Sequence, residues 1–435
     1  MSGPSPDGHP GQATGGSGTA SPAASRAAEY GRAVITAIIE GNQAVVTILA
    51  IFAALVVGGL IIAFSDTTVL HAWGSFFSAP GAALSATWNS VAAAYSAMFE
   101  GAIFSPGTVA AAFHGGSVGA IFYPLSETAS KATPLILTGL SVAVAFRAGL
   151  FNIGAASQWI GGGIIVAYLG FAVSLPPVIH VVVCVLGGFA GGAVIGWMVG
   201  ELKARTGAHE VIVTIMLNYV MYNLLSYLLG SPSLLQLPGQ ANLVSPNIAA
   251  NAELPHVGGP PPQVGVGFLI ALAAAAGVGW LLQRSTVGFE FRSVGANPSA
   301  SRSAGMSVER TWALAMLIAG GLAGLSAATV IQGTDLSLNF QSYGTYGIDG
   351  ITVALLGRAR PAGVVLAALL FGALRAGGTI MQVDTSVPVD LVSVLQGLIV
   401  LFVAAPPLIR AIFRLRGTRA AGVAGAEAVA KGWNG

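Results

Sequence analysis

The sequence has 435 residues, 54% of them hydrophobic and only 8% charged, with a formal net charge of +2. Soluble domains carry about 25% charged residues, and a chain this poor in charge cannot cover a water-facing surface with polar groups. That excludes a soluble enzyme, and basic residues spread among separate stretches give no footing to nucleic acid.

The apolar runs are each about 20 residues long, which suits helices crossing hydrocarbon and not the roughly 10-residue strands of a barrel. The expected fold is therefore an all-α polytopic membrane protein with about ten transmembrane helices, some short or broken. Sixty glycines fit helices packed closely through small residues. The single cysteine, Cys184, rules out a disulfide framework. The lysines stand at 131, 203 and 431, none in a GxxxxGK[ST] phosphate-binding motif. No ATP or magnesium cofactor is expected in this chain, so any ATP must be bound by another.

Residues 1–40 form a Gly-, Ser-, Pro- and Ala-rich start that reads as a disordered cytoplasmic tail. The membrane region extends over 41–408. Its first span is about Ala44–Phe64. Residues 66–131, with Trp73, Trp88 and Tyr95 among polar residues, read as an extracytoplasmic, interfacial segment. Spans then follow at Ala132–Phe146, Gly154–Phe171, Val178–Gly200 and Val211–Leu229. A long extracytoplasmic loop occupies 231–262. Val264–Leu282 leads into a polar stretch, 284–311, and Thr311–Ile331 leaves it. The short run Gly347–Leu356, then Ala362–Ile380 and Val389–Pro406, complete the set before a basic cytoplasmic tail over 409–435.

With the N-terminus inside, Arg147, Lys203, Arg205, Arg284, Arg292, Arg302, Arg310, Arg358, Arg360 and Arg410 all fall on the cytoplasmic side. Lys131 alone falls outside, with Asp66, Glu100, Glu127, Glu253, Asp335, Asp384 and Asp390; Arg375 lies within a span. The positive-inside rule predicts this asymmetry, with both termini cytoplasmic.

Several stretches carry candidate chemistry, each beside a plainer reading. Gly188, Gly192, Gly196 and Gly200 share one helix face, either a moving interface or static close packing. Gly149–Gly163 sets Phe151, Asn152 and Gln158 between two apolar runs. It is either a broken helix lining a pathway or a tight turn after Arg147. Gln341–Gly357, with Tyr346 and Asp349, has the same character in the second half. Asp349 either pairs with Arg375 inside the membrane, or caps a half-helix while Arg375 snorkels outward. Asn218 and Tyr219 face a cavity or serve as interhelical hydrogen-bonders. His209-Glu210 is a metal or proton-relay candidate or simply a helix-start acid. No HExxH, GxSxG, Cys/His cluster or close carboxylate pair suggests a catalytic or metal site.

The segments LTGLSVAVAFRAGLFNIGAASQ, HEVIVTIMLNY, STVGFEFRSVGANPSASRSAGM and DGITVALLGRARPAGVVLAALLFGALRAGG resemble one known family. They are similar to the permeases of bacterial ABC importers for nucleosides, within a branched-chain-amino-acid-permease-like group that includes simple-sugar permeases. The resemblance covers about residues 130–405. It implies a multi-pass protein of the bacterial plasma membrane. It also implies three partners: an ATP-binding cassette ATPase, a second homologous permease and an extracytoplasmic substrate-binding lipoprotein. The chain itself would be a non-catalytic translocation subunit using alternating access. The stretch 284–311 matches the family's cytoplasmic coupling loop, with a short helix at about Asn297–Gly305. Gly288, Arg292, Gly295, Asn297, Pro298, Arg302 and Gly305 are then its ATPase-coupling residues. Phe151, Asn152, Gln158, Asn218, Tyr219, Tyr346 and Asp349 are the substrate-pathway candidates. Nucleosides are the expected substrate; a ribose-like sugar is the first alternative and an ion-coupled secondary transporter the second.

Overall fold

A computed structural model describes residues 43–114, 118–231, 234–237, 239, 242–257, 264–343, 345–385 and 387–414. The tail expected over 1–40 and the basic tail beyond 414 lie outside the described residues. The chain divides into two units, one of residues 1–49 and 406–435, the other of 50–405. In the first, the described residues form the start of α1 (Gln43–Ser65) and α17 (Pro406–Ile412).

The larger unit is helical. After α1 come α2 (Thr67–Gly74), α3 (Pro80–Ala102), α4 (Pro106–Phe113), α5 (Tyr123–Arg147), α6 (Ala155–Ala172), α7 (Pro177–Thr206) and α8 (Glu210–Leu229). Then follow α9 (Val266–Arg284), α10 (Thr286–Ala296), α11 (Pro298–Ser303), α12 (Val308–Val330), α13 (Phe340–Tyr343), α14 (Tyr346–Leu356), α15 (Pro361–Thr385) and α16 (Asp390–Ala404). β1 (His256–Val257) and β2 (Val264–Gly265) pair antiparallel, His256 opposite Gly265.

Among the described residues, eight helices are long and apolar enough to cross a membrane. They match eight of the expected spans; the other two are the short α14 and the 15-residue α16. α5 and α12 form the centre, each with 83% of its apolar stretch buried, against 17% for α8 and 28% for α9. The outer helices turn Ile212, Met216, Val220, Tyr227 and Leu269 outward, an apolar surface suited to lipid or another subunit.

Glycines set the tightest packing. The face of Gly188, Gly192 and Gly196 on α7 lies directly against Gly320 and Gly324 of α12. A Cβ added at Gly192 would stand 2.2 Å from the Gly320 carbonyl oxygen, and one at Gly196 2.1 Å from that of Met316. α6 joins this seam at Gly162, where a Cβ would come within 2.5 Å of the Gly324 Cα. Of the two readings of the ladder, close packing is what the structure displays: three backbones meet where no side chain intervenes.

The structure differs from the sequence expectation in two places. α5 starts at Tyr123, nine residues before the expected span, and runs through Pro134. Proline there withholds the N–H that would pair with the Ser130 carbonyl and crowds that carbonyl, while its own carbonyl accepts from Thr138 Oγ1 at 2.8 Å and Ser326 Oγ at 3.1 Å. Within 66–131, α3 is a 23-residue helix that is not one of the eight helices long and apolar enough to span. It packs along α15, where a Cβ at Gly377 would meet the Met98 carbonyl at 2.0 Å. The stretch 284–311 is not a loop. α10 buries Phe291 and Val294 against the body, and only α11 stands out from it.

Candidate functional site

The chain does not leave the bundle after Arg147. Gly149, at φ +73°, turns it back alongside α5. Asn152 then reaches Ser141 Oγ at 3.4 Å, which lies about 9 Å up the helix axis from Arg147. Residues 148–154 are therefore irregular backbone inside the bundle, and α6 begins within it. Such backbone must be satisfied by protein groups, and two amide side chains, Asn152 and Asn218, do this, with Gln158 holding Asn152 in place. Asn152 Oδ1 accepts from the Gly154 N–H at 3.0 Å. Asn152 Nδ2 donates to Gln158 Oε1 at 2.9 Å, and Gln158 Nε2 to Asn152 Oδ1 at 3.2 Å. From α8, Asn218 Oδ1 accepts the Ser157 N–H at 3.0 Å, and its Nδ2 donates to the Ile153 carbonyl at 3.1 Å. Asn218 thus caps the start of α6 from another helix.

Asn152 and Gln158 are fully buried, so in this state they brace the break and present no surface to a ligand. Asn218→Leu leaves the Ser157 N–H and the Ile153 carbonyl unpaired, each at about 1–3 kcal/mol. The expected result is a lower thermal midpoint of the detergent-purified protein; an unchanged midpoint would show that Asn218 does not support the break. Phe151 packs on Phe146, ring centroids 4.9 Å apart, and is partly exposed. Tyr219 is 65% exposed on the outer helix α8. Neither joins the cluster at Tyr346.

α14 also begins inside the bundle. Gly350 abuts Thr138, where a Cβ would sit 2.8 Å from the Thr138 Cβ, about 13 Å up α5 from Arg147. Its first turn meets that of α6: a Cβ at Gly347 would lie 2.6 Å from the Ala156 nitrogen. The two segments singled out from the sequence thus converge start to start, each bringing the positive end of its helix dipole. Asp349 lies in this first turn and forms an ion pair with Arg375 Nη2 of α15, so the pairing alternative is the one present. Arg375 Nη2 also donates to Thr345 Oγ1 at 2.6 Å. The guanidinium lies over the Tyr346 ring, 5.5 Å from its centroid. Tyr346 stacks in turn on buried Trp159 at 6.4 Å and 29°.

At the Arg147 end, basic residues gather as the charge asymmetry requires. Arg147 Nε donates to the Ala359 carbonyl at 3.0 Å, tying α5 to the turn after α14. The charges of Arg360 and Arg292 bear on Arg147. Gly295 of α10 presses on the same turn, where a Cβ would stand 2.4 Å from the Arg147 carbonyl and 2.9 Å from the Gly149 nitrogen. A Cβ at Gly288 would lie 1.9 Å from the Leu281 carbonyl, so α10 folds back on α9. α11 follows, Asn297 Oδ1 capping the Ala300 N–H at 3.0 Å, Pro298 in its first turn. Gly305 follows the helix at φ +85°. Arg302 pairs with Glu309. The short helix expected at Asn297–Gly305 is present with the caps its residues dictate. Lys203 pairs with Glu210 at 2.6 Å and lies over Trp312, so Glu210 is held by a cation. Among the described residues no His, Cys, Asp and Glu cluster could hold a metal ion.

Comparison with known proteins decides the family. The model of the branched-chain amino acid transport system permease component matches residues 125–404. The chain belongs to that permease family. It is a multi-pass membrane protein and the transmembrane permease of an ABC transporter. A guanosine ABC transporter permease protein of Bacillus subtilis is 37% identical over 328 residues, 74% of this permease and 88% of the relative. A nucleoside ABC transporter permease protein of Lactococcus lactis is 36% identical over 291 residues, 64% and 79% of the two chains. A glucose ABC transporter permease protein of Haloferax volcanii is 34% identical over 295 residues, 64% and 76%. No solved structure matches. Membership of this family sets aside the ion-coupled alternative.

Sequence reading named Tyr346 and Asp349 and suspected Arg375, but it placed neither Thr345 nor the Arg147–Ala359 tie. Thr345 carries no signal apart from its neighbours. Arg147 reads as an ordinary positive charge at a span end until the fold brings Ala359 to it.

Proposed function

We propose that this permease carries nucleosides into the cell across the bacterial plasma membrane, by alternating access driven by ATP hydrolysis in a separate ATPase chain. The observation carrying this reading is the likeness at 37% and 36% to permeases named for guanosine and nucleosides. The aromatic and polar cluster at the junction of α6 and α14 suits a flat polar ring. The termini and the Arg147 end lie in the cytoplasm on this reading, because most of the basic residues gather there. α11 enters the ATPase's cleft, and Gly288, Arg292, Gly295, Asn297, Pro298, Arg302 and Gly305 shape that contact. A second homologous permease covers part of the apolar outer surface. A substrate-binding lipoprotein delivers from the opposite side. There the outer loop is pinned to the chain after α12, Ile248 N–H to the Leu336 carbonyl at 2.8 Å and Leu254 N–H to that of Gln332 at 2.8 Å.

A sugar is the second reading, favoured by the glucose permease relative at 34% identity. The test is uptake of labelled guanosine and glucose by cells that lack their own nucleoside and glucose uptake and express the permease with its ATPase, partner permease and binding protein. Saturable, ATP-dependent guanosine uptake unaffected by excess glucose is expected. Glucose uptake alone would replace the nucleoside reading with the sugar one.

A further inference from the structure

The Asp349–Arg375 pair is built in a way that simple neutralisation does not require. It lies at depth in the bundle, with side-chain exposures of 16% and 25%, where an unpaired charge is costly. Among the described residues, both hydrogen bonds of Arg375 leave from Nη2, to Asp349 and Thr345. Nε and Nη1, which flank Nη2 on the two edges of the fork, make no hydrogen bond among the described residues. The guanidinium carbon lies over the Tyr346 ring, 5.5 Å from its centroid. Behind that ring, Trp159 is fully buried and stacks on it, while among the described residues its own Nε1–H has no partner. A flat, polar, hydrogen-bonding group on an aromatic face is the arrangement a bound nucleobase would make. The carboxylate accepts and the guanidinium donates, so the pair complements a ring edge bearing N–H and C=O groups side by side.

We propose that Asp349 and Arg375 form a latch that the substrate replaces. Resting on the nucleoside reading, the base slides onto Tyr346 in place of the guanidinium. Its ring N–H groups then bind Asp349 and its carbonyl binds Arg375. The two charges separate only when both gain new partners, so the pathway stays closed to solutes that cannot supply them. A monosaccharide offers hydroxyl groups but no planar edge to lie on Tyr346. Arg375 and Tyr346 are on this account specificity-determining residues, and Trp159 is a positioning residue behind them.

The test uses the full transporter in cells, with guanosine uptake kinetics and competition by purine riboside, whose base lacks the exocyclic carbonyl and amino groups. Arg375→Lys keeps the charge opposite Asp349 but loses the planar fork. It is expected at wild-type abundance in the membrane, with the guanosine KM raised about tenfold or more, the worth of one charged hydrogen bond. Competition by purine riboside should hardly change. Tyr346→Leu, which removes the aromatic face, should likewise raise the guanosine KM, which decides the matter should the lysine variant fail to assemble. A wild-type guanosine KM in either Arg375→Lys or Tyr346→Leu overturns the latch, because a merely structural pair is rescued by lysine. Wild-type protein that takes up glucose and no nucleoside refutes the underlying substrate reading instead, so the two failures are distinguishable.

Discussion

Gly192→Leu is expected to remove the permease from the membrane. Even a Cβ at this position would stand 2.2 Å from the Gly320 carbonyl oxygen and 2.7 Å from the Gly324 nitrogen. The obstructing atoms are backbone, so no rotamer change relieves the clash and α7 must part from α12. Among the described residues this is the most extensively contacting pair of helices, and lipid supplies no hydrophobic force to hold separated helices together. Gly192→Ala alone should cost about 1–3 kcal/mol, the usual penalty of overpacking, and the leucine variant several times that. Gly277→Ala on α9 is the control, since nothing lies within 4 Å of a Cβ there. Alanine should be tolerated at that position or slightly favoured as the better helix former. Membrane abundance and the thermal midpoint in detergent measure both. Equal midpoints for Gly192→Ala and wild type would mean the helices are less closely apposed than described.

Ala300→Pro should leave the protein in the membrane and uncouple transport. Proline removes the N–H that Asn297 Oδ1 caps at 3.0 Å and disfavours helical backbone at Ser299. α11 loses its shape while α10 and α12 keep theirs, because Ser285 and Ser307 cap those independently. Gly295→Ala should give the same phenotype by a different route. Its Cβ pushes on the Arg147 carbonyl at 2.4 Å and so disturbs the seat of α10 on the turn 147–149. That turn leads into the Asn152 break, and Arg147 reaches the turn after α14 through Ala359. On the proposed mechanism a displacement of α11 therefore reaches both half-helix starts through rigid contacts. Uptake is expected to fall at least about tenfold, a loss of only ~1.4 kcal/mol in transition-state stabilisation, with ATP hydrolysis still measurable. Acids in place of Arg292 or Arg302 should act in the same direction, Arg302 because it would then repel Glu309. Normal uptake in Ala300→Pro would sink the docking role of α11.

The half-helix starts show how far one sequence can be read. Gly149–Gly163 and Gln341–Gly357 stood out because polar residues and glycines interrupt apolar runs, and both do begin helices within the bundle. Their roles were not legible. As a sequence, Asn152 and Gln158 read as pathway-lining residues, yet they hydrogen-bond each other and are buried. Asn218, far along the chain, closes the end of α6. An amide side chain has the same composition whether it meets a substrate or a backbone N–H, so only the fold assigns its partner. Asp349 and Arg375 were easier: charges at membrane depth are few and must find each other.

By itself the sequence determined the class, the number of apolar segments and the side on which basic residues gather. Hydrocarbon thickness sets the length of a span, and loop charge sets its orientation. It also determined α11, because Asn297, Pro298 and Gly305 dictate its two ends locally. Only the tertiary structure decided that α5 and α12 are central and α8 peripheral. Inside a membrane both faces of a helix are apolar, so no amphipathic stripe marks the inner one. Only the tertiary structure, too, brought α6 and α14 start to start, seated α10 on the 147–149 turn and laid Arg375 on Tyr346. Those contacts join residues distant in sequence across surfaces whose complementarity is one of shape, which composition and spacing do not encode.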